Sequence, residues 1–158
     1  MPYAIIDRGN CPYYTYLSHV FACLDNEQRK YNWLIADWEC YPKDEGIQAM
    51  FCGEYLWMSG NELTALIERE DFQWIWGILC GFEQDVCLED VLKTPLPNAR
   101  DYNGYDQDPV VMQHPLASLE IVPADSSYVL IVSKESAVIE RYLPLVLFQY
   151  SFIFQEGL

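Results

Sequence analysis

Residues 72–82 read FQWIWGILCGF, and this stretch decides the fold. Gly77 and Gly81 would each cost a helix about 1 kcal/mol, so the stretch favours a strand. With the period of two that a strand imposes, one face is wholly apolar and consists of Phe72, Trp74, Trp76, Ile78, Cys80 and Phe82. The other face is largely apolar as well, which predicts a central strand buried on both sides.

Local signals on either side of this strand predict its neighbours. Ser59-Gly60-Asn61-Glu62 matches a capping box, which predicts a helix that continues to about Glu70. Apolar runs on both sides of residues 123–127 predict a β-hairpin. Together with the remaining alternating segments, the hairpin gives six further predicted strands: Tyr3–Asp7, Tyr31–Trp38, Phe51–Trp57, Leu116–Val122, Tyr128–Ser133 and Leu147–Phe154.

Helical spacing predicts two more long helices, one capped by Asn10 and reaching Leu24, the other running from Ser133 to about Leu143. A short helix is expected near Cys87–Lys93, and the segment 39–46 reads as a turn. The hairpin order predicts an α+β fold, with a mainly antiparallel twisted sheet of about five to seven strands and about three helices on one face. A single domain is expected over residues 1–158, because no linker-like tract interrupts the chain.

The distribution of charge is the main functional signal. The chain has 24 acidic and 9 basic residues, for a net charge of −15, while 51% of its residues are hydrophobic. Between Glu62 and Asp108 there are eleven acidic residues and three basic ones, and no Lys or Arg occurs from Asp101 to Ser133. This excess of carboxylates argues against nucleic-acid binding, because phosphates would be repelled.

Residues 99–115 form a long stretch without a regular period, in which tyrosines alternate with acids. Tyrosine offers rigid contact area and carboxylates steer association with Lys and Arg, so the pattern is typical of a surface for a basic protein. The candidate partner-binding residues are Glu83, Asp85, Glu89, Asp90, Asp101, Tyr102, Tyr105, Asp106 and Asp108. The alternative reading is that the acidity only keeps the protein soluble.

No motif for catalysis, a cofactor or a metal stands out. The six cysteines and two histidines lack zinc-ligand spacing, and neither a P-loop, a G-x-S-x-G nor a G-x-G-x-x-G motif is present. Asp101 and Asn103 fit the start of a calcium loop, but Gly104 stands at position 4 where such a loop needs it at position 6. We therefore predict no catalytic residue, no cofactor and no metal site, and the sequence favours a binding protein over an enzyme.

The sequence predicts a cytoplasmic protein. Its uncharged runs are shorter than the ~18 to 20 residues that a membrane helix requires, so no membrane association is expected. The N-terminus MPYAIIDRGN has neither the basic region nor the apolar region of a signal peptide. We accordingly expect reduced cysteines, most of them small buried hydrophobes.

In size and composition the chain resembles the bacterial immunity proteins of toxin systems, which are small, acidic, cytoplasmic and rich in Tyr and Trp. That resemblance implies that the partner is a toxin or a nuclease whose basic cleft the protein plugs. The chain also looks like other small acidic bacterial α+β proteins, a likeness that implies no activity. Neither comparison rests on a motif, and neither assigns a role to any residue.

Two further hypotheses stay open. The protein could bind a small molecule, as an enzyme or a carrier, in an aromatic pocket built from Trp57, Trp74 and Trp76. The strand patterning favours a core position for these residues. Self-association through exposed sheet edges is the third hypothesis.

Overall fold

The computed structural model describes residues 2–7 and 15–142 of the chain. These residues contain an antiparallel sheet of six strands. Its strands are β1 (Tyr3–Asp7), β2 (Asn32–Cys40), β3 (Tyr55–Ser59), β4 (Trp74–Phe82), β5 (Leu119–Ala124) and β6 (Tyr128–Ser133). Across the sheet the strand order is β1-β6-β5-β4-β2-β3. The order places β4 between β5 and β2, which confirms the prediction of a central strand.

The longer helices pack on one face of this sheet. They are α1 (Leu17–Cys23), α2 (Glu45–Met50), α3 (Gly60–Arg69) and α5 (residues 136–142), whereas the short α4 (Leu88–Val91) lies on the opposite face. Side chains from α1, α2, α3 and α5 join Trp33, Trp74, Leu79, Ile121 and Ile131 in a helix-side core. The predicted α+β fold, with helices on one face of an antiparallel sheet, is confirmed. Within the described ranges, no helix has the length and apolar character that crossing a bilayer requires.

Residues 83–118, which connect β4 to β5, cover the opposite face of the sheet, and we call them the covering segment. The segment contains α4 and a 3-10 turn at Gly104–Asp106, and is otherwise irregular. Its buried side chains Val91, Met112 and Ala117 form a second core with sheet residues that include Leu34, Ile78, Cys80, Phe82, Val122, Leu130 and Val132. Residues 99–115, for which the sequence predicts no regular secondary structure, are therefore part of a structural layer.

The prediction that Phe72, Trp74, Trp76, Ile78, Cys80 and Phe82 share one face is wrong. Phe72 and Trp74 belong to the helix-side core, whereas Ile78, Cys80 and Phe82 belong to the core under the covering segment. Successive residue pairs between the two strands are Ala36–Ile78, Glu39–Trp76 and Cys40–Trp74. Between the first two pairs β2 has one residue more than β4, and between the last two pairs β4 has one residue more than β2. Asp37, in the first bulge, has a φ of 44°. Each bulge reverses the alternation of side chains beyond it.

Several predicted boundaries move by a few residues. Helix α2 replaces the end of the predicted turn because the Asp44 carboxylate accepts a hydrogen bond from the Ile47 amide (3.0 Å) and caps the helix. Strand β3 consequently begins at Tyr55 rather than Phe51. Strand β5 begins at Leu119 rather than Leu116. The predicted strand Leu147–Phe154 and the Asn10 cap lie outside the described residues.

The predicted capping box is confirmed and fixes the start of α3. The Glu62 amide donates to Ser59 Oγ (3.2 Å), and the Ser59 amide donates to the Glu62 carboxylate (2.7 Å). The next residue, Gly60, lies very close to the backbone of Gln28 and Arg29. A Cβ at Gly60 would be 2.0 Å from the Gln28 carbonyl oxygen and 2.7 Å from Arg29 Cα. A side chain at this position would push α3 away from the turn at Glu27–Lys30.

Gly60→Ala should therefore lower the free energy of unfolding by about 1–3 kcal/mol, the usual cost of overpacking, in spite of alanine's better helix propensity. Urea denaturation followed by tryptophan fluorescence measures the change. Gly53→Ala is the matched control, because a Cβ at Gly53 meets only the Tyr55 carbonyl oxygen, at 3.6 Å. Equal stability of the two variants would contradict the close approach at Gly60.

Candidate protein-binding surface

A fully buried carboxylate on β5, that of Glu120, anchors the covering segment. One of its oxygens accepts from the amide of His114 (2.9 Å) and lies 3.7 Å from the thiol of Cys80. The other accepts from the amide of Gln113 (3.0 Å) and from the hydroxyl of Tyr105 (2.8 Å). Three of these four donors belong to the covering segment, so the carboxylate ties the segment to the sheet.

Burial dominates the acid–base properties of this cluster. It raises the pKa of Glu120, although the hydrogen bonds from His114, Gln113 and Tyr105 act in the opposite direction. It also raises the pKa of Tyr105 and of the Cys80 thiol, and the nearby Glu120 charge adds to both shifts. Phenol and thiol therefore stay protonated at neutral pH and act as hydrogen-bond donors.

His114 is a structural residue that forms hydrogen bonds through both ring nitrogens. It is buried, and the Leu116 amide donates to its Nδ1 (3.2 Å), which must therefore be unprotonated. Its Nε2 then carries the proton and donates to the Val91 carbonyl oxygen (3.0 Å). The ring packs edge-on against Phe82 with a centroid distance of 4.8 Å. Both nitrogens are used, so the imidazole holds α4 and the turn after His114 together.

The two tyrosines of the predicted site point their hydroxyls into the covering segment. The Tyr102 hydroxyl lies 3.0 Å from the carbonyl oxygens of Val111 and Met112, while that of Tyr105 bonds to Glu120. Their rings meet edge to face with a centroid distance of 4.7 Å, and both are half-buried. The tyrosines hold the layer together, and only part of each ring is available to a partner.

The carboxylates of the predicted site are exposed, and we call them the acidic surface: Glu83, Asp85, Glu89, Asp90, Asp101, Asp106 and Asp108. Of these, Asp90 forms an ion pair with Lys93 (2.6 Å). The covering segment's other cation, Arg100, pairs with Glu39 on β2 (2.7 Å) and lies over the Trp76 ring. Within the described part of the chain, the other six carboxylates form no ion pair.

Exposed apolar side chains accompany this charge, and sequence reasoning missed them. The covering segment supplies four of the eight large hydrophobic residues that are exposed among the described residues: Leu92, Leu96, Val111 and Leu116, each 36–43% exposed. A single exposed leucine needs no explanation, but several on one layer mark a surface that can bury area against a partner. Their spacing in the sequence gives no signal that separates them from core residues.

Among the grooves on the described surface are two that are larger than the one of about 150 Å³ beside Phe21 and Glu68. One, of about 480 Å³, lies on the covering segment and is lined by Asp85, Val86, Asp90, Lys93, Thr94, Pro115 and Leu116. The other, of about 380 Å³, lies at the end of β2 and is lined by Trp38, Cys40, Tyr41, Pro42, Gln48 and Phe51. The first groove brings together Asp85 and Asp90 of the predicted site.

The tryptophans proposed for an aromatic pocket line neither groove. Trp74 is fully buried in the helix-side core. Trp57 packs against Phe82 with a centroid distance of 5.7 Å, and Trp76 lies beneath Arg100. In the second groove, burial raises the pKa of the Cys40 thiol to about 12, so this sulfur is not a nucleophile at neutral pH.

A cysteine and a histidine do meet on α1, where His19 Nε2 lies 3.7 Å from Cys23 Sγ. Cys23 is only 7% exposed, which leaves a substrate little access to the sulfur. Within residues 2–7 and 15–142, no group of three or more His, Cys, Asp or Glu residues is arranged to hold a metal ion.

Comparison with known proteins assigns no family to this chain. No protein-family model matches the sequence, and no curated protein or solved structure matches it significantly.

The free energy of unfolding should depend on pH through the buried Glu120. Because burial raises the pKa of Glu120 above its usual value of 4.5, the folded protein holds this proton more tightly than the unfolded chain. Glu120→Gln removes the titrating group and leaves a backbone N–H facing an amide NH₂, at a cost of about 1–3 kcal/mol. The stability advantage of the wild type over E120Q should shrink as pH rises above 4.5.

Urea denaturation of both proteins between pH 4.5 and 8 measures this difference. Glu140→Gln, at an exposed position on α5, is the control for a general effect of charge. An advantage that grows with pH would contradict the raised pKa, since it would show that the four donors outweigh burial.

Proposed function

We propose that the protein binds a basic partner protein through the outer surface of the covering segment and thereby neutralises or regulates it. The observation that carries this proposal is the composition of that surface. Six carboxylates that form no ion pair with another described residue lie on the same layer as four exposed Leu and Val side chains.

The two kinds of side chain supply different parts of the binding energy. Exposed carboxylates attract and orient a basic protein during diffusion, and so act mainly on the association rate. Exposed leucines provide apolar area that leaves water when the complex forms, and so act mainly on the lifetime of the complex. A surface that served only for solubility would need the charge and not the leucines.

The anchoring of the layer also supports a binding role. Irregular backbone is usually flexible, and ordering it on binding costs free energy. Here the Glu120 carboxylate, the Tyr102 hydroxyl and the His114 ring hold the covering segment in place before any partner arrives. The acidic surface is therefore preorganised.

A toxin or a nuclease with a basic cleft is the partner class that we propose. A cleft that binds phosphates carries Lys and Arg, and a row of carboxylates complements it. A cytoplasmic location fits this role, and the free thiols of Cys23, Cys40, Cys52, Cys80 and Cys87 support a reducing compartment.

The first test is affinity capture from the native host's lysate at low and at high salt, with mass spectrometry of the retained proteins. We expect a basic protein to be held at low salt and released near 1 M salt, where the screening length falls to about 3 Å. Recovery of the bait alone under gentle conditions would count against the proposal.

The second test assigns the surface. The triple variant D101N/D106N/D108N should slow association with the captured protein about tenfold or more at low salt, because steering depends on these charges. The control E54Q/D125N/E140Q removes the same number of exposed charges away from the covering segment and should leave the rate near that of the wild type. Equal effects of the two triple variants would refute the assignment to this surface.

Small-molecule binding is a second candidate, favoured by the groove at the end of β2. Tyr41 in this groove is 73% exposed, and Trp38 and Phe51 meet at 87° with a centroid distance of 5.1 Å. A ligand found by thermal-shift screening should lose its effect in Tyr41→Ala but keep it in Tyr3→Ala, which removes another exposed tyrosine. A ligand unaffected by Tyr41→Ala would exclude this groove.

A further inference from the structure

The groove on the covering segment permits a sharper statement about the partner, and this inference rests on the proposed function. We name it the Asp85 groove; its lining is Asp85, Val86, Asp90, Lys93, Thr94, Pro115 and Leu116. We propose that the Asp85 groove receives one arginine side chain of the basic partner, and that Lys93 holds the place of this arginine in the free protein.

The apolar part of the groove suits an aliphatic stem. Val86 is half-buried, while Pro115 and Leu116 are exposed, with Leu116 at 42%. Arginine can lay its three methylene groups along such a surface while its guanidinium stays at a polar rim. An aspartate or glutamate would be repelled there, and a purely apolar side chain would remove water from Asp85 without giving it a partner.

The polar part of the groove suits a planar cation. Asp85 is exposed and forms no ion pair among the described residues. Asp90 is held in place by two donors, the Lys93 ammonium (2.6 Å) and the Cys87 thiol (3.2 Å). A guanidinium has five donors in a fixed plane and is weakly hydrated, so it can bond to a carboxylate while its face contacts apolar groups. Lysine has a compact, strongly hydrated charge and fits this combination less well.

Lys93 is well suited to be displaced. Its side chain is 71% exposed and that of Asp90 is 51% exposed, so the pair lies in water. Exposed ion pairs of this kind contribute little to stability, and a competing cation replaces them at small cost. The pair nevertheless lowers the pKa of Asp90, which keeps this carboxylate ionised for an incoming guanidinium.

The test is an NMR titration of the full-length ¹⁵N-labelled protein with N-acetyl-arginine N-methylamide as the probe. We expect saturable shifts at the amides of Val86, Thr94 and Leu116, with much smaller shifts at Glu54 and Glu140. The uncharged analogue N-acetyl-citrulline N-methylamide, which has nearly the same shape, should shift these amides little. The lysine analogue should bind more weakly than the arginine probe.

Two variants separate this proposal from a general attraction to negative charge. Asp85→Asn should weaken binding of the probe about two- to fivefold, the range that exposed ion pairs span, whereas the matched control Asp125→Asn should not. Lys93→Ala should strengthen binding about twofold or more, because it releases Asp90.

Equal binding of the citrulline analogue, shifts spread evenly over remote carboxylates, or weaker binding by Lys93→Ala would each overturn the proposal. Lysine binding as tight as arginine would overturn the choice of arginine. These outcomes are distinct from a failure of the proposed function, which is decided by protein capture and by the Asp101, Asp106 and Asp108 variants. If the probe fails while capture still depends on those three residues, the groove assignment falls and the function stands.

Discussion

The hydrogen bonds between the Glu120 carboxylate and the covering segment are the interaction on which the proposed binding surface depends. Without this carboxylate, the buried amide of His114 and the partly buried amide of Gln113 and hydroxyl of Tyr105 would lose their acceptor. The layer would then have to open to water, which would expose the apolar face around Phe82. One polar residue in the apolar strand LEIVPA thus decides whether a segment with little regular structure can cover a sheet.

The sheet itself depends on a central strand that serves two cores. Two bulges between β2 and β4 turn Trp74 towards the helices and Phe82 towards the covering segment. On the helix side, Ser59 and Glu62 cap α3, and Gly60 allows it to meet the turn at Glu27–Lys30. The two sides differ in kind, because regular backbone bonds support the helices whereas side-chain bonds of Glu120, Tyr102 and His114 support the covering segment.

This difference explains what could be predicted from the sequence. The capping box, the hairpin and the central strand depend on neighbouring residues, and all three were predicted correctly. The set of side chains that share one face of β4 was predicted wrongly, because a bulge depends on the register of a partner strand about forty residues away. Tyr102 and Tyr105 read as surface residues because their acceptors Val111, Met112 and Glu120 are identified only in three dimensions. The one available signal for the anchor was the single carboxylate within an apolar strand.

The location of the exposed carboxylates on the covering segment helps to distinguish a role in recognition from a role in solubility. Carboxylates that repel each other destabilise a compact layer, and the covering segment carries six that form no ion pair within residues 2–7 and 15–142. Carboxylates that served only solubility would work equally well at exposed positions such as Glu54 and Glu140, which lie outside the covering segment. Instead these six carboxylates share a layer with exposed leucines and a groove, on a segment that a buried carboxylate keeps in place. The proposed recognition of a basic protein would account for this combination, whereas solubility would account only for the charge.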